Sequence, residues 1–159
     1  MAKKEEKTNV MRILEQKKIP FLSHTYASTG AISGTEVAEA LGQNPDQVFK
    51  TLVTQGASKS YYVFMVPVCE ELDLKKGAKA VGEKSIAMIK SKELLPLTGY
   101  IHGGCSPIGM KKQFITTAHL TVKDFPTVIF SAGKIGYQVE LSFDDLTRVV
   151  PVGTADITV

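Results

Sequence analysis

A chain of 159 residues that is 43% hydrophobic and 22% charged, with a formal net charge of +3, has the composition of one globular domain and excludes an intrinsically disordered protein. No apolar run approaches bilayer length, and the opening MAKKEEKTNV lacks the apolar core of an export signal, so a single cytoplasmic domain over 1–159 is expected. In a reducing compartment Cys69 and Cys105 are expected as free thiols, Cys69 in the core; His24, His102 and His119 match no metal-ligand spacing, so no metal or cofactor is expected.

From Thr8 to Lys18, Val10, Met11, Ile13 and Leu14 recur at helical spacing, and Pro20 closes the segment. FLSHTYA reads as extended. Ser33 with Glu36 three residues on is a capping box, opening a helix that Gly42 ends. DQVFKTLVTQG and SYYVFMVPV read as two strands close enough to form a hairpin, the second apolar almost throughout and therefore central. ELDLKKGAKAVG follows as a helix with Leu72, Leu74, Ala78 and Val81 inward, SIAMI as a short strand, and SKELLPLTG as a helix-turn interrupted by Pro96. Beyond a glycine-rich loop, QFITTAHL, TVIFSAG and YQVELS read as three strands, and Ser142 caps a last helix, SFDDLTRVV.

This order lacks strict βαβ alternation, and no GxGxxG opens a helix after a strand, which disfavours a doubly wound nucleotide fold. The expected class is α+β, with a mixed, curled or partly closed β-sheet surrounded by helices.

Chemistry is concentrated at a few points. Lys50 stands mid-strand between Phe49 and Thr51, where a cation must reach solvent or meet an anion or a carbonyl oxygen. It either points outward from a half-exposed strand or serves a site. HGGCSPIGMKK, 102–112, suits neither helix nor strand; its glycines allow a tight turn or a wall against which a ligand lies. Lysines cluster at Lys75, Lys76, Lys79, Lys84, Lys90 and Lys92 and again at Lys111 and Lys112, either as solvated helix faces or as a surface for a polyanion. Cys105 is a small packed thiol or a nucleophile, and no histidine is evidently placed to activate it.

FKTL at 49–52, LDLKK at 72–76, TGYIHGGCSPIGMKK at 98–112 and SAGKIGYQVEL at 131–141, in this order and at these separations, resemble the YbaK/EbsC family over nearly the whole chain. These are stand-alone aminoacyl-tRNA deacylases related to the editing domain inserted in bacterial prolyl-tRNA synthetases, and the likeness is greatest to the branch acting on Cys-tRNA(Pro). The resemblance implies a pocket for the charged 3′ end of tRNA, with Lys50 as the key residue and Thr51 beside it. It further implies substrate contacts at Gly103, Gly104, Cys105, Ser106 and Pro107, and at Tyr26, Ser131 and Gly133. Where relatives often read G-K-R-G, this chain has Gly133-Lys134-Ile135-Gly136, one cation fewer.

The family's chemistry needs no protein nucleophile, because the substrate's own cysteine thiol attacks its carbonyl carbon and expels the tRNA as a thiolactone closes. Lys50 would hold the ester, and loop amides of 103–106 would donate to developing negative charge. Competing expectations are deacylation of Ala-tRNA(Pro) and a noncatalytic module that binds tRNA or a synthetase. The implied partners are aminoacyl-tRNA and prolyl-tRNA synthetase, with no membrane and no DNA.

Overall fold

The computed structural model describes residues 7–31 and 33–159; residues 1–6 of the stretch weighed above as an export signal, and Ile32, lie outside them. Helix α1 (Asn9–Gln16) is capped by Thr8, whose Oγ1 accepts from the Met11 amide at 3.3 Å. β1 (Leu22–Thr25) follows, then α2 (Gly34–Ala40) with the reciprocal Ser33–Glu36 capping box. β2 (Phe49–Gly56) and β3 (Tyr61–Pro67) form the expected antiparallel hairpin. α3 (Leu74–Val81), β4 (Ile86–Met88) and α4 (Ser91–Thr98) lead into the glycine loop. β5 (Ile115–His119), β6 (Val128–Ser131), β7 (Tyr137–Leu141), α5 (Phe143–Val149) and β8 (Val152–Ala155) complete the described chain.

The strands form two sheets. One is mixed, in the order β4-β2-β3-β5-β8, with β3 at its centre as the apolar run of that strand predicts. The other is antiparallel, in the order β1-β7-β6. A parallel bridge between Val48 and Ile129 joins them. The expected curl is therefore a hinge between two sheets rather than a closed barrel.

Alternation along the strands sorts side chains onto two faces. Phe49, Val53, Val63 and Met65 share the inner face with Val128, Phe130, Val139 and Leu141, and α1, α5 and the glycine loop close this main core through Leu14, Leu146 and Ile108. On the outer face, Tyr62, Phe64 and Val66 lie under Ala78 of α3, while Val48 and Ile129 lie under Ala38 of α2. Lys50 shares that outer face, between the two apolar patches.

Three elements differ from expectation. Leu74 is 42% exposed instead of inward, because Asp73 caps α3 and makes Leu74 its first residue; the buried pair is Gly77 and Ala78. A Cβ on Gly77 would lie 2.8 Å from Ile86 Cδ1, so glycine lets α3 approach the sheet without displacing the end of that side chain. Helix α4 runs through Pro96 to Thr98, where Thr98 Oγ1 donates to Leu94 O at 2.7 Å and Gly99 ends it in the left-handed region. Strand β8 has no counterpart in the predicted order, since a four-residue edge strand containing Gly153 carries almost no alternation signal.

Phe64, fully buried on the central strand, anchors the outer core. Phe64→Ala should lower unfolding free energy by about 3–5 kcal/mol in denaturant titration.

Candidate active site

The hinge between the sheets sets a polar row across the outer face. Val48 bridges Ile129 in parallel, and Lys50 and Ser131 each stand two residues further on, on the same faces of β2 and β6 as those two residues. Ser131 pairs with Gln138, and Gln138 pairs with His24. Paired residues share a face, so Lys50, Ser131, Gln138 and His24 line up across β2, β6, β7 and β1. Tyr26, whose amide donates to Gly136 O at 2.8 Å, continues the β1–β7 ladder at the end of the row.

Most of this row is tied down. Gln138 is only 4% exposed, and its Oε1 accepts from Gln43 Nε2 at 2.7 Å. His24 Nε2 meets Glu140 Oε1 at 2.7 Å, while Thr127 donates to the other carboxylate oxygen at 2.5 Å. Burial pushes the Glu140 carboxyl up, but the hydrogen bonds from Thr127 and His24 outweigh it and hold the group below the usual carboxylate range. Ser131 Oγ accepts from the Gly133 amide at 3.1 Å. Lys50 differs: it is half-buried and makes no ion pair or side-chain hydrogen bond with any described residue. A cation in that setting needs solvent or an oxygen partner.

The glycine loop reaches the same region from the β6–β7 turn. A Cβ on Gly104 would lie 3.2 Å from the Ile135 amide nitrogen, and one on Gly103 would lie 3.7 Å from the Ile135 side chain. Gly103 is exposed with φ +86°, whereas Gly104 to Ile108 are buried. The loop is held from within: Tyr100 Oη donates to Ile108 O, the Gly104 amide donates to Ile101 O at 3.0 Å, and Ser106 Oγ accepts from the Ile108 amide at 3.3 Å. Burial, with the nearby Cys105, pushes the Tyr100 phenol up to about 12, so it stays a donor.

The structure thus brings together Lys50, Ser131 and Tyr26 on one face, with Gly103 and Gly104 at the adjoining turn. It separates others. Thr51 alternates onto the inner face opposite Met65, with its Oγ1 buried and unpartnered among the described residues. Gly133 turns toward the core, where a Cβ would lie 2.9 Å from Tyr100. Cys105, Ser106 and Pro107 are buried, Cys105 within the main core, where burial pushes its thiol up to about 12. Such a thiol is a poor nucleophile.

Cys69 is exposed rather than in the core, because β3 ends at Pro67 and the chain turns out. Its Sγ donates to Asp46 at 3.0 Å, and partial burial together with that carboxylate raises the thiol to about 11. Asp46, Cys69 and Glu70 lie close enough to share a cation, but a thiol so raised stays protonated at neutral pH and is a weak ligand. Sequence reasoning does not single out Gln138 and Gln43; the alternation of YQVEL marks Gln138 and Glu140 as a polar face, and only the pairing turns that face toward Lys50. Two wider clefts lie elsewhere, about 600 Å³ beside Phe114 and Pro151 and about 350 Å³ beside β4, and neither includes a residue of the row. Chemistry rather than volume selects the site.

Comparison with known proteins identifies the family and the fold. Residues 30–149 match the family described as the aminoacyl-tRNA editing domain. A protein of Enterococcus faecalis named as a Cys-tRNA(Pro)/Cys-tRNA(Cys) deacylase, EbsC, is 45% identical over 99% of this chain and 98% of its own length. A crystal structure described as a trans-editing enzyme for prolyl tRNA synthetase superposes with a TM-score of 0.81 at 24% identity, covering 96% of this chain and 98% of that one. The hypothetical protein APE2540 superposes with a TM-score of 0.86 at 18% identity, covering 96% and 100%; these two likenesses speak to the fold.

The two thiols should separate cleanly in a labelling experiment. Under prolonged treatment iodoacetamide should alkylate the native protein at Cys69, slowly because its thiol is raised, and reach Cys105 only after denaturation, as read by peptide mass spectrometry. Rapid native alkylation of Cys105 would contradict its burial.

Proposed function

Because the chain belongs to the aminoacyl-tRNA editing domain family, we propose that it is a deacylase that clears cysteine from mischarged tRNA(Pro), with Lys50 gripping the aminoacyl ester. The observation that carries this is a half-buried cation with no ion pair or side-chain hydrogen bond to any described residue, on the same face as Gln138, His24 and Ser131, whose side chains are each held. An ammonium there is free to donate to the ester carbonyl or a ribose oxygen.

The row supplies orientation. Ser131, beside Lys50, and Tyr26, along the same face, border the space an acyl group would fill. Of the loop amides, Gly104 is engaged by Ile101 O, which leaves the exposed Gly103 amide as the donor for negative charge developing on the carbonyl oxygen.

Nucleophilic attack is left to the substrate. Its cysteine sulfur bonds to its own carbonyl carbon, the bond from that carbon to the ribose oxygen breaks, and the thiol proton passes to the departing ribose oxygen, giving tRNA and a thiolactone that water then opens. Holding the reacting atoms together supplies about 7 kcal/mol or more of barrier lowering in well-oriented intramolecular cases. The raised thiol of Cys105 supports this route over a protein nucleophile. Small size and modest net charge suit a partner that presents the charged tRNA. A protein of the same fold is described as a trans-editing enzyme for prolyl tRNA synthetase, and that synthetase is the partner this reading assigns.

Turnover of tRNA(Pro) charged with cysteine, alanine or serine tests the proposal. Cys-tRNA should be cleaved and Ser-tRNA should survive, since a thiol ionises near pH 8.5 and a serine hydroxyl far less readily. Lys50→Ala should lower Cys-tRNA turnover by about 10²–10³-fold, the cost of losing one oxyanion donor. Undiminished activity in Lys50→Ala would remove its role, and equal cleavage of Cys- and Ser-tRNA would replace substrate assistance with water attack. Preferential cleavage of Ala-tRNA would reassign the specificity.

A further inference from the structure

Apart from Gly103, the exposed side chains of the glycine loop have no part in the deacylation just described. The loop meets the turn 133–136 where Gly103 and Gly104 approach Ile135, and the residues exposed there include Ile101, Lys111, Lys112 and Ile135. Helix α1 borders it, for a Cβ on Gly109 would lie 3.1 Å from Ile13 and 3.4 Å from Asn9. None of the chain's 16 carboxylates falls between Leu94 and Lys123 or between Phe125 and Val139. The cations here include the exposed Lys111 and Lys112, with exposed Arg12 one turn along α1 from Asn9. None of these three makes an ion pair with a described residue.

The other lysine cluster lacks that character. Between Glu70 and Lys84, Lys75, Lys76, Lys79 and Lys84 are matched by Glu70, Glu71, Asp73 and Glu83, and Lys76 is already held by Asp156 at 3.2 Å. Helix α3 is therefore the solvated face and the loop is the polyanion-facing one. Two apolar side chains also stand out on the loop surface, Ile101 at 50% and Ile135 at 46% exposure, flanking Gly103. Cations interleaved with exposed apolar groups suit unpaired nucleotides, whose phosphates and base faces are both accessible, better than a duplex.

We propose that this face binds the unpaired 3′ strand of tRNA just before its terminal adenosine, with Lys111 and Lys112 on phosphates and Ile101 and Ile135 against a base. The identity of the ligand rests on the deacylase assignment. The surface itself rests on the charge distribution.

Fluorescence anisotropy tests it, with uncharged tRNA(Pro) either intact or trimmed of its unpaired 3′ nucleotides, against wild type and the double variant Lys111→Gln/Lys112→Gln. For intact tRNA the variant should flatten the plot of log affinity against log salt by about 1.4, from about 0.7 per single-strand phosphate contact. Trimmed tRNA should bind both proteins alike. An unchanged slope for intact tRNA would overturn the proposal, as would an equal loss on trimmed tRNA, which would put the lysines on the duplex. Turnover of Cys-tRNA(Pro) by the wild type is followed in parallel. A wild type that shows the lysine-dependent 3′-end binding but cleaves no ester would support the surface and overturn the deacylase assignment.

Discussion

An ammonium with no partner among the described residues, on a sheet whose two faces are both covered, is the constraint around which this protein is organised. Lys50 lies on β2 with the main core behind it and apolar patches on either side, one beneath α2 and one beneath α3. Desolvating a cation without a partner is unfavourable, so this ammonium needs solvent or a ligand oxygen. The β-structure is split beside it: the bridge from Val48 to Ile129 joins the two sheets, and Ser131 and Gln138 pair on the face that Ile129 shares.

The rest of the site is held still around that charge. Gln43 holds Gln138, and separately Glu140 holds both His24 and Thr127, so two hydrogen-bonded groups fix the polar face of β7 and β1. Tyr100, Ser106 and the Gly104 amide fix the glycine loop. Preorganised donors need no rearrangement when charge develops on a substrate, which is where their catalytic value lies. Bareness at Gly103 has a local physical cause, since φ +86° disfavours any side chain there.

Much of this was legible in the sequence because local signals are strong where an element is regular. The Ser33–Glu36 box, the β2–β3 hairpin and the Ser142 cap all follow from short-range chemistry. Lys50 was legible as an anomaly, a cation in an apolar strand. What it faces was not, because that depends on a parallel bridge between residues 81 positions apart. The same limit hid Gln138, whose polar alternation fits solvent as well as a site. Thr51 shows the converse: adjacency along a strand means opposite faces, so a motif of neighbours does not make a cluster. Leu74 and Cys69 went outward for a related reason, each standing where a regular element starts or has just ended.

The central claim is that Lys50 grips the activated acyl group from the outer face of β2. A crystal structure with a non-cleavable amide analogue of cysteinyl-adenosine tests it most directly. The account predicts the analogue between Gly103 and Ser131, with the Lys50 ammonium hydrogen-bonded to its carbonyl or ribose oxygen. An analogue seated instead in the cleft beside Phe114 and Pro151, with Lys50 turned to solvent, would contradict it.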